Sequence, residues 1–188
     1  MNHKIKAILK AAATVMSQKG FEKATMDEIA RMSKVAKGTL YYYFQNKENL
    51  FLQLTLSIFD ELERRTQEIV TAVGTAAERM ARLIRDQVDF FSEYREEVSL
   101  ILGDFVGSTL PRESFRSRLQ DYYSLIGRLI EEGIAAGEFR EVDSWTAATA
   151  LFGMVSVATF HWLLNSPGMD RKKLAEELVN LALHSLAR

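Results

Sequence analysis

The chain of 188 residues contains no cysteine, so disulfide scaffolds and thiolate metal sites are excluded. It has two prolines and ten glycines, too few for long irregular connections. No stretch alternates polar and apolar residues as a half-buried strand does, which argues against a sheet. Three histidines, His3, His161 and His184, fall in no metal-ligand spacing. Glycine-rich phosphate loops and nucleophile-elbow motifs are missing, and no pair of carboxylates is set up for acid–base work. We therefore expect no enzyme, no metal and no cofactor. No secretory segment is expected either, because Lys6 and Lys10 interrupt the apolar run Ile5 to Met16. A cytoplasmic protein fits the missing cysteines.

What is present is helical pattern and uneven charge. Residues 1–50 hold nine Lys/Arg against four Asp/Glu; the remainder holds fifteen against twenty-one. A basic head on an acidic body suits a phosphate-binding module attached to a part that does not bind phosphate. His3 to Lys19 carries Ile5, Ile8, Leu9, Ala12, Val15 and Met16 on one stripe and stops at Gly20. Thr25 and Glu28 have the spacing of a capping box for a helix Met26 to Met32. A short helix Lys37 to Phe44 follows, and Asn46 starts a fourth whose stripe is Phe51, Leu54, Ile58 and Leu62. The domain boundary is placed inside this last helix near Phe51, giving units 1–50 and 51–188 without a flexible linker.

The short helix decides function. At about 100° per residue, Leu40 and Phe44 point inward while Tyr42 points away, with Gly38 and Thr39 beside it. Tyr41 and Tyr43 flank the inner face, equally suited to packing or to phosphate contact. Lys37 stands at the start and Lys47 just past the end. A flat, hydroxyl-bearing, basic outer face fits a DNA major groove.

The stretch TMDEIARMSKVAKGTLYYYFQNKENLF, Thr25 to Phe51, resembles the DNA-binding head of the TetR family of bacterial transcriptional regulators. The resemblance rests on Thr25, Ile29, Ala30, Val35, Lys37, Gly38, Thr39, Leu40, Tyr41, Tyr43, Phe44, Lys47, Glu48 and Leu50. It implies an all-α fold: a three-helix helix-turn-helix head and a helical ligand-binding and dimerisation body, about nine helices in all. It implies a DNA contact from Thr25; together with the outer face of the short helix and the charge of Lys34 in the turn, the expected DNA contacts are Thr25, Lys34, Lys37, Gly38, Thr39, Tyr41, Tyr42, Tyr43 and Lys47. The turn departs from the family's usual Ala-Gly-Val-Ser, reading Ser33, Lys34, Val35, Ala36. A non-glycine in a left-handed turn position costs about 1 kcal/mol, and Ala36 cannot cap a helix as serine would.

Beyond Gly74 we expect helices near Thr75–Tyr94, Glu96–Gly107, Arg112–Ala136, Ser144–Asn165 and Arg171–Ala187. Ser144 to Met169 has no charged residue in 26 positions, long enough to span a membrane. Its Thr146, Thr149, Ser156, Thr159, His161 and Asn165 argue instead for a helix buried on several sides, with no membrane partner. With the Leu-rich last helix it would build a two-fold four-helix interface, as in the family. The interface residues expected are Phe152, Val155, Trp162, Leu174, Leu178 and Leu181.

The resemblance also implies a ligand cavity among the middle helices, where aromatics are dense. Gln87, Phe90, Phe91, Tyr94, Asp104, Phe105, Tyr123, Phe152 and His161 are its expected lining, suited to a small lipophilic effector. The expectation is a homodimeric regulator, a repressor released from a palindromic double-stranded DNA operator by that effector. The alternative is a helical small-molecule- or protein-binding module that does not read DNA, motivated by the atypical turn at Ser33-Lys34.

Overall fold

The computed structural model describes residues 3–105, 112–165 and 170–187, leaving aside the side chains of 102–105, 112 and 114. Among the described residues the regular structure is entirely helical, in nine helices. They are α1 (His3–Lys19), α2 (Met26–Met32), α3 (Lys37–Tyr43), α4 (Lys47–Val70), α5 (Ala76–Glu93), α6 (Arg95–Phe105), α7 (Arg112–Ala135), α8 (Ser144–Asn165) and α9 (Arg171–Leu186). Two compact units form, Met1–Asp60 with Tyr94–Phe115 and Glu61–Glu93 with Arg116–Arg188. Helices α4 and α7 each contribute to both.

In the first unit the stripe of α1 packs with Ile29, Leu40, Phe44, Leu50, Phe51 and Leu54 into one core. Gly20 ends α1 at φ 80°, a left-handed conformation that glycine takes without steric cost. Phe21 folds back so that its ring lies 5.2 Å from Phe51. The capping box of α2 is complete: Glu28 N–H donates to Thr25 Oγ1 at 3.3 Å, and Thr25 N–H donates to Glu28 Oε2 at 3.3 Å. Asn46 caps α4 by accepting from Asn49 N–H at 2.7 Å. Helix α6 completes this unit against α1: Leu100 packs on the same core, and Thr14 donates to Glu96 at 3.0 Å.

In the second unit α5 is the central element, packed against both α8 and α9. A second capping box opens it. Glu78 N–H donates to Thr75 Oγ1 at 3.1 Å and Thr75 N–H to Glu78 Oε2 at 2.9 Å, so Thr75 is the cap and not the first helical residue. Helix α7 ends at Gly137, φ 73°. One turn earlier the Phe139 ring lies against Gly133, where a Cβ would collide with it, so the Gly133-x-x-x-Gly137 pattern serves packing and termination. Asp143 caps α8 by accepting from Thr146 N–H at 2.7 Å. Arg85 to Glu176 (2.6 Å) and Arg171 to Asp89 (3.0 Å) are exposed ion pairs joining α5 to α9; pairs of this kind contribute about 0–1 kcal/mol each, so apolar burial holds this contact.

Candidate nucleic-acid interface and body interior

The outer surface of α3 is built by anchoring its inner one. Leu40 is fully buried and Phe44 nearly so. The preceding turn closes through Val35 N–H to the Ala30 carbonyl at 3.1 Å and Ser33 Oγ to the Ile29 carbonyl at 2.7 Å. Lys34 takes the left-handed position, φ 57°, so the turn forms without the family's glycine. Ala36 stands at the N-cap without a side-chain hydrogen bond, as its methyl group requires.

With that anchor in place, Tyr42 is 83 % exposed and Tyr41 42 %. Gly38 is exposed, with nothing within 4 Å of where a Cβ would stand, and Thr39 is half-buried beside it. Tyr43 divides its surface, half-buried against the head core and edge-on to Tyr42 at 5.2 Å. Lys37 is paired with Asp27 at 2.7 Å, which holds its ammonium above the ordinary lysine range, and lies 5.9 Å from the Tyr41 ring. Lys34 is exposed.

Two of the expected DNA contacts also have work inside the head. Thr25 is held by its capping box, donating to Glu28 Oε2 at 3.1 Å as well as accepting. Lys19, the first cause, and Thr25 keep the Glu28 carboxyl below its usual range. Lys47 is half-buried and donates to the carbonyls of Phe21 (2.7 Å) and Glu22 (2.9 Å), its ammonium 4.5 Å from the Phe21 ring. The connection between α1 and α2 leaves those two carbonyls without helical partners, and Lys47 supplies the donors. One of its three N–H groups is left for any other task.

The second unit gathers part of the expected ligand lining. Phe91 lies 6.2 Å from Phe152, and Phe152 lies 5.4 Å from Tyr123. Phe90 stands 5.9 Å from Phe91, and Gln87 is buried one turn before both. Two others do not join them as expected. Tyr94 belongs to the first unit. His161 is exposed on α8, its ring 3.3 Å from Asn165 Nδ2. The side chains of Asp104 and Phe105 lie outside the described residues.

The expected dimer residues need correction. Val155, Leu174 and Leu178 are buried within their own chain, and Phe152 is half-buried with its ring against Tyr122 and Tyr123. The stripe of α9 that includes Leu174 and Leu178 is spent on its own chain, where α9 packs mainly against α5. What α8 and α9 leave outside is Val157 at 71 %, Leu164 at 61 % and Leu181 at 59 %, with Trp162 half-buried; Leu181 and Trp162 are among the expected residues, Val157 and Leu164 are not. Sequence reasoning gave no site role to three polar residues of the interior, Thr66, Tyr122 and Thr159, all fully buried. The signal was present as i+4 spacing: Thr66 follows Leu62, Tyr122 precedes Ile126 and Thr159 follows Val155. Burial pushes the Tyr122 phenol well up.

A buried anchor, a closed turn and a protruding tyrosine-bearing helix define a helix-turn-helix regulator of transcription. Residues 8–54 match the family described as "Bacterial regulatory proteins, tetR family", and residues 73–186 match "Tetracyclin repressor-like, C-terminal domain". The chain belongs to the TetR family. It is 25 % identical over 181 residues to the "Fatty acid metabolism regulator protein" of Bacillus subtilis, covering 95 % of this chain and 93 % of that one. Among solved structures it is similar to a putative fatty acid metabolism regulator of Clostridium perfringens (TM-score 0.84, 26 % identity, 97 % and 99 % of the two chains). It also shares its fold with the regulator FadR of Bacillus subtilis, solved with stearoyl-CoA (TM-score 0.82, 23 % identity, 96 % and 98 %).

Proposed function

We propose that this regulator is a homodimeric cytoplasmic repressor that holds a palindromic operator through two copies of α3 and lets go when its body binds a long-chain acyl-CoA or similar lipophilic effector. Residues 1–50 would read DNA; 51–188 would bind effector and partner. The observation that carries the reading is the outward face of α3, with Tyr42 at 83 % exposure over a Leu40 at 0 %. Tyr and Thr hydroxyls and the lysines Lys34, Lys37 and Lys47 bond phosphate oxygens; Gly38 lets the helix approach the groove. One such helix covers too few bases for a specific site, so two half-sites follow.

Helix α8 supports the dimer. By length and composition it could cross a membrane, with a mean hydropathy of 1.5 over its apolar window. Ala148, Leu151, Val155 and Thr159 on one side are buried in its own chain, while Val157 and Leu164 face outward. A second copy covering that outward side, with Trp162 and Leu181, accounts for both faces without a bilayer. The aromatic interior of the second unit, and the fatty-acid role of the relatives, favour an apolar effector. Release would then be a population shift, limited by the effector's preference for the state that does not fit the operator.

Titrating labelled upstream DNA with the wild type, Tyr42→Ala and Lys37→Ala tests this. Loss of one phosphate contact per half-site, about 1 kcal/mol each, weakens binding roughly thirtyfold. Lys37→Ala also lowers the slope of log affinity against log salt by about one unit per half-site. Unchanged affinity in both variants removes the assigned face.

A further inference from the structure

Four polar side chains in the second unit are buried with an atom that no described residue satisfies: Thr66 of α4, Gln87 of α5, Tyr122 of α7 and Thr159 of α8. None is more than 3 % exposed. A buried donor left unpaired costs about 1–3 kcal/mol, and native interiors pair nearly all of theirs. The same helices show how such groups are ordinarily satisfied. On α4 the buried Thr55 hydroxyl donates to the Phe51 carbonyl four residues back, at 3.0 Å. On α8, Thr149 and Ser156 do the same to Trp145 (2.9 Å) and Phe152 (2.6 Å). Thr66 and Thr159 forgo that bond, so their hydroxyls are turned from their own backbone.

Ring contacts and helix spacing relate the four groups to one aromatic chain. The Tyr122 ring lies 5.3 Å from Phe152, and Phe152 lies 6.2 Å from Phe91, which follows Gln87 by one turn. The Tyr122 phenol faces the Thr66 hydroxyl, near enough to feel it but outside hydrogen-bonding geometry. Thr159 stands seven positions from Phe152 on α8 and so on the same side. The charges at hand are acidic in sum: Arg65 is shared among Glu61 (2.8 Å), Glu93 (2.7 Å) and Asp86 (3.9 Å).

We infer that Thr66, Gln87, Tyr122 and Thr159 are the polar recognition set of the effector site, donating to the neutral carbonyl of an acyl thioester and to that of the amide next to it, each of which accepts two hydrogen bonds, with the acyl chain among Phe91, Tyr122 and Phe152. The inference rests on the functional reading above. Hydroxyls and an amide suit an uncharged acceptor, and the acidic surroundings disfavour a free fatty carboxylate. The thioester is therefore selected over the acid of the same chain length.

The test uses the full chain and its variants Tyr122→Phe, Gln87→Leu and Thr159→Val, with stearoyl-CoA and stearate as probes. Without ligand, each variant should melt at or above the wild-type temperature, because each removes an unsatisfied buried atom. Stearoyl-CoA affinity should fall about tenfold in each, and stearate should bind the wild type more weakly than stearoyl-CoA. A lower melting temperature for the unliganded variants would make these groups structural and overturn the assignment. Variants that bind stearoyl-CoA as well as the wild type would overturn it too, and leave the acyl-CoA response standing. Stearate binding as tightly as the thioester would refute selection of the neutral carbonyl. A wild type that binds no long-chain acyl-CoA would fail the functional reading itself, and the assignment with it.

Discussion

Ser33, Lys47, Thr25 and Glu28 in the first unit each close on a partner in the same unit. Thr66, Gln87, Tyr122 and Thr159 in the second do not. Among the described residues, every buried side-chain atom lacking a hydrogen-bond partner belongs to the second unit. The difference is one of completeness. The head satisfies its interior by itself and turns hydroxyls and lysines outward, so its polarity is available to a partner on its surface. The body keeps polar atoms inside, where only something that enters can reach them. A reader of DNA must present one fixed shape, whereas a sensor must gain stability from what it senses.

The largest expected effect comes from breaking the finished half. Leu40→Ala opens a cavity at a position with no exposure, costing about 2–5 kcal/mol. Operator binding should disappear while stearoyl-CoA still raises the melting temperature of the body. An equal loss of both responses in a folded variant would erase the contrast between the units.

A smaller effect concerns the polar groups that the second unit does satisfy, at its rim. Arg64 first, then Arg65, hold the Glu61 carboxyl at about 2 against an ordinary 4.5. A carboxylate depressed on folding adds stability above its unfolded value and loses it as pH falls through the folded one. The wild type should therefore melt above Glu61→Gln at neutral pH. That gap should close as pH drops from about 4.5 towards 2. A gap that stays constant over this range would remove Glu61 from the acid limb. Thermal melts of both proteins across the range decide it.

The head was legible in the sequence because its instructions are local. Thr25 with Glu28, Gly20 after Lys19, and Leu40 with Phe44 are contacts within one or two turns, and periodicity reads them directly. The limits of α1, α2 and α8 follow from such signals. The body was legible as helices but not as faces. A helix apolar all round, such as Ser144–Asn165, offers no polar side to orient it, so its sequence does not tell that Val155 is buried and not at the partner. The same holds for Leu174 and Leu178, whose stripe could equally have met a second copy. That α6 packs on α1 depends on residues about eighty positions apart, Thr14 and Glu96 among them, and no local pattern reports a contact of that range. Lys47 shows a third limit: its charge was visible, but the two carbonyls it meets become available only once the chain turns at Phe21 and Glu22.

The smallest expected effect tests how finished the head is. Lys34 is, among the described residues, the one non-glycine at positive φ, 57°. Lys34→Gly removes the Cβ that makes this conformation costly, and gives back part of the gain through a more flexible unfolded chain. The net should be a stabilisation of about 0.5–1 kcal/mol, seen as a higher denaturation midpoint with the same slope. The substitution also takes a cation from the surface assigned to DNA, so operator affinity should fall and its salt slope should shrink by about one unit per half-site. Stability and affinity would then move in opposite directions from a single change. Movement of both downward would mean that the lysine side chain holds the turn together. Affinity unchanged while stability rises would place Lys34 off the DNA and leave the tyrosines of α3, with Lys37, to carry the contact.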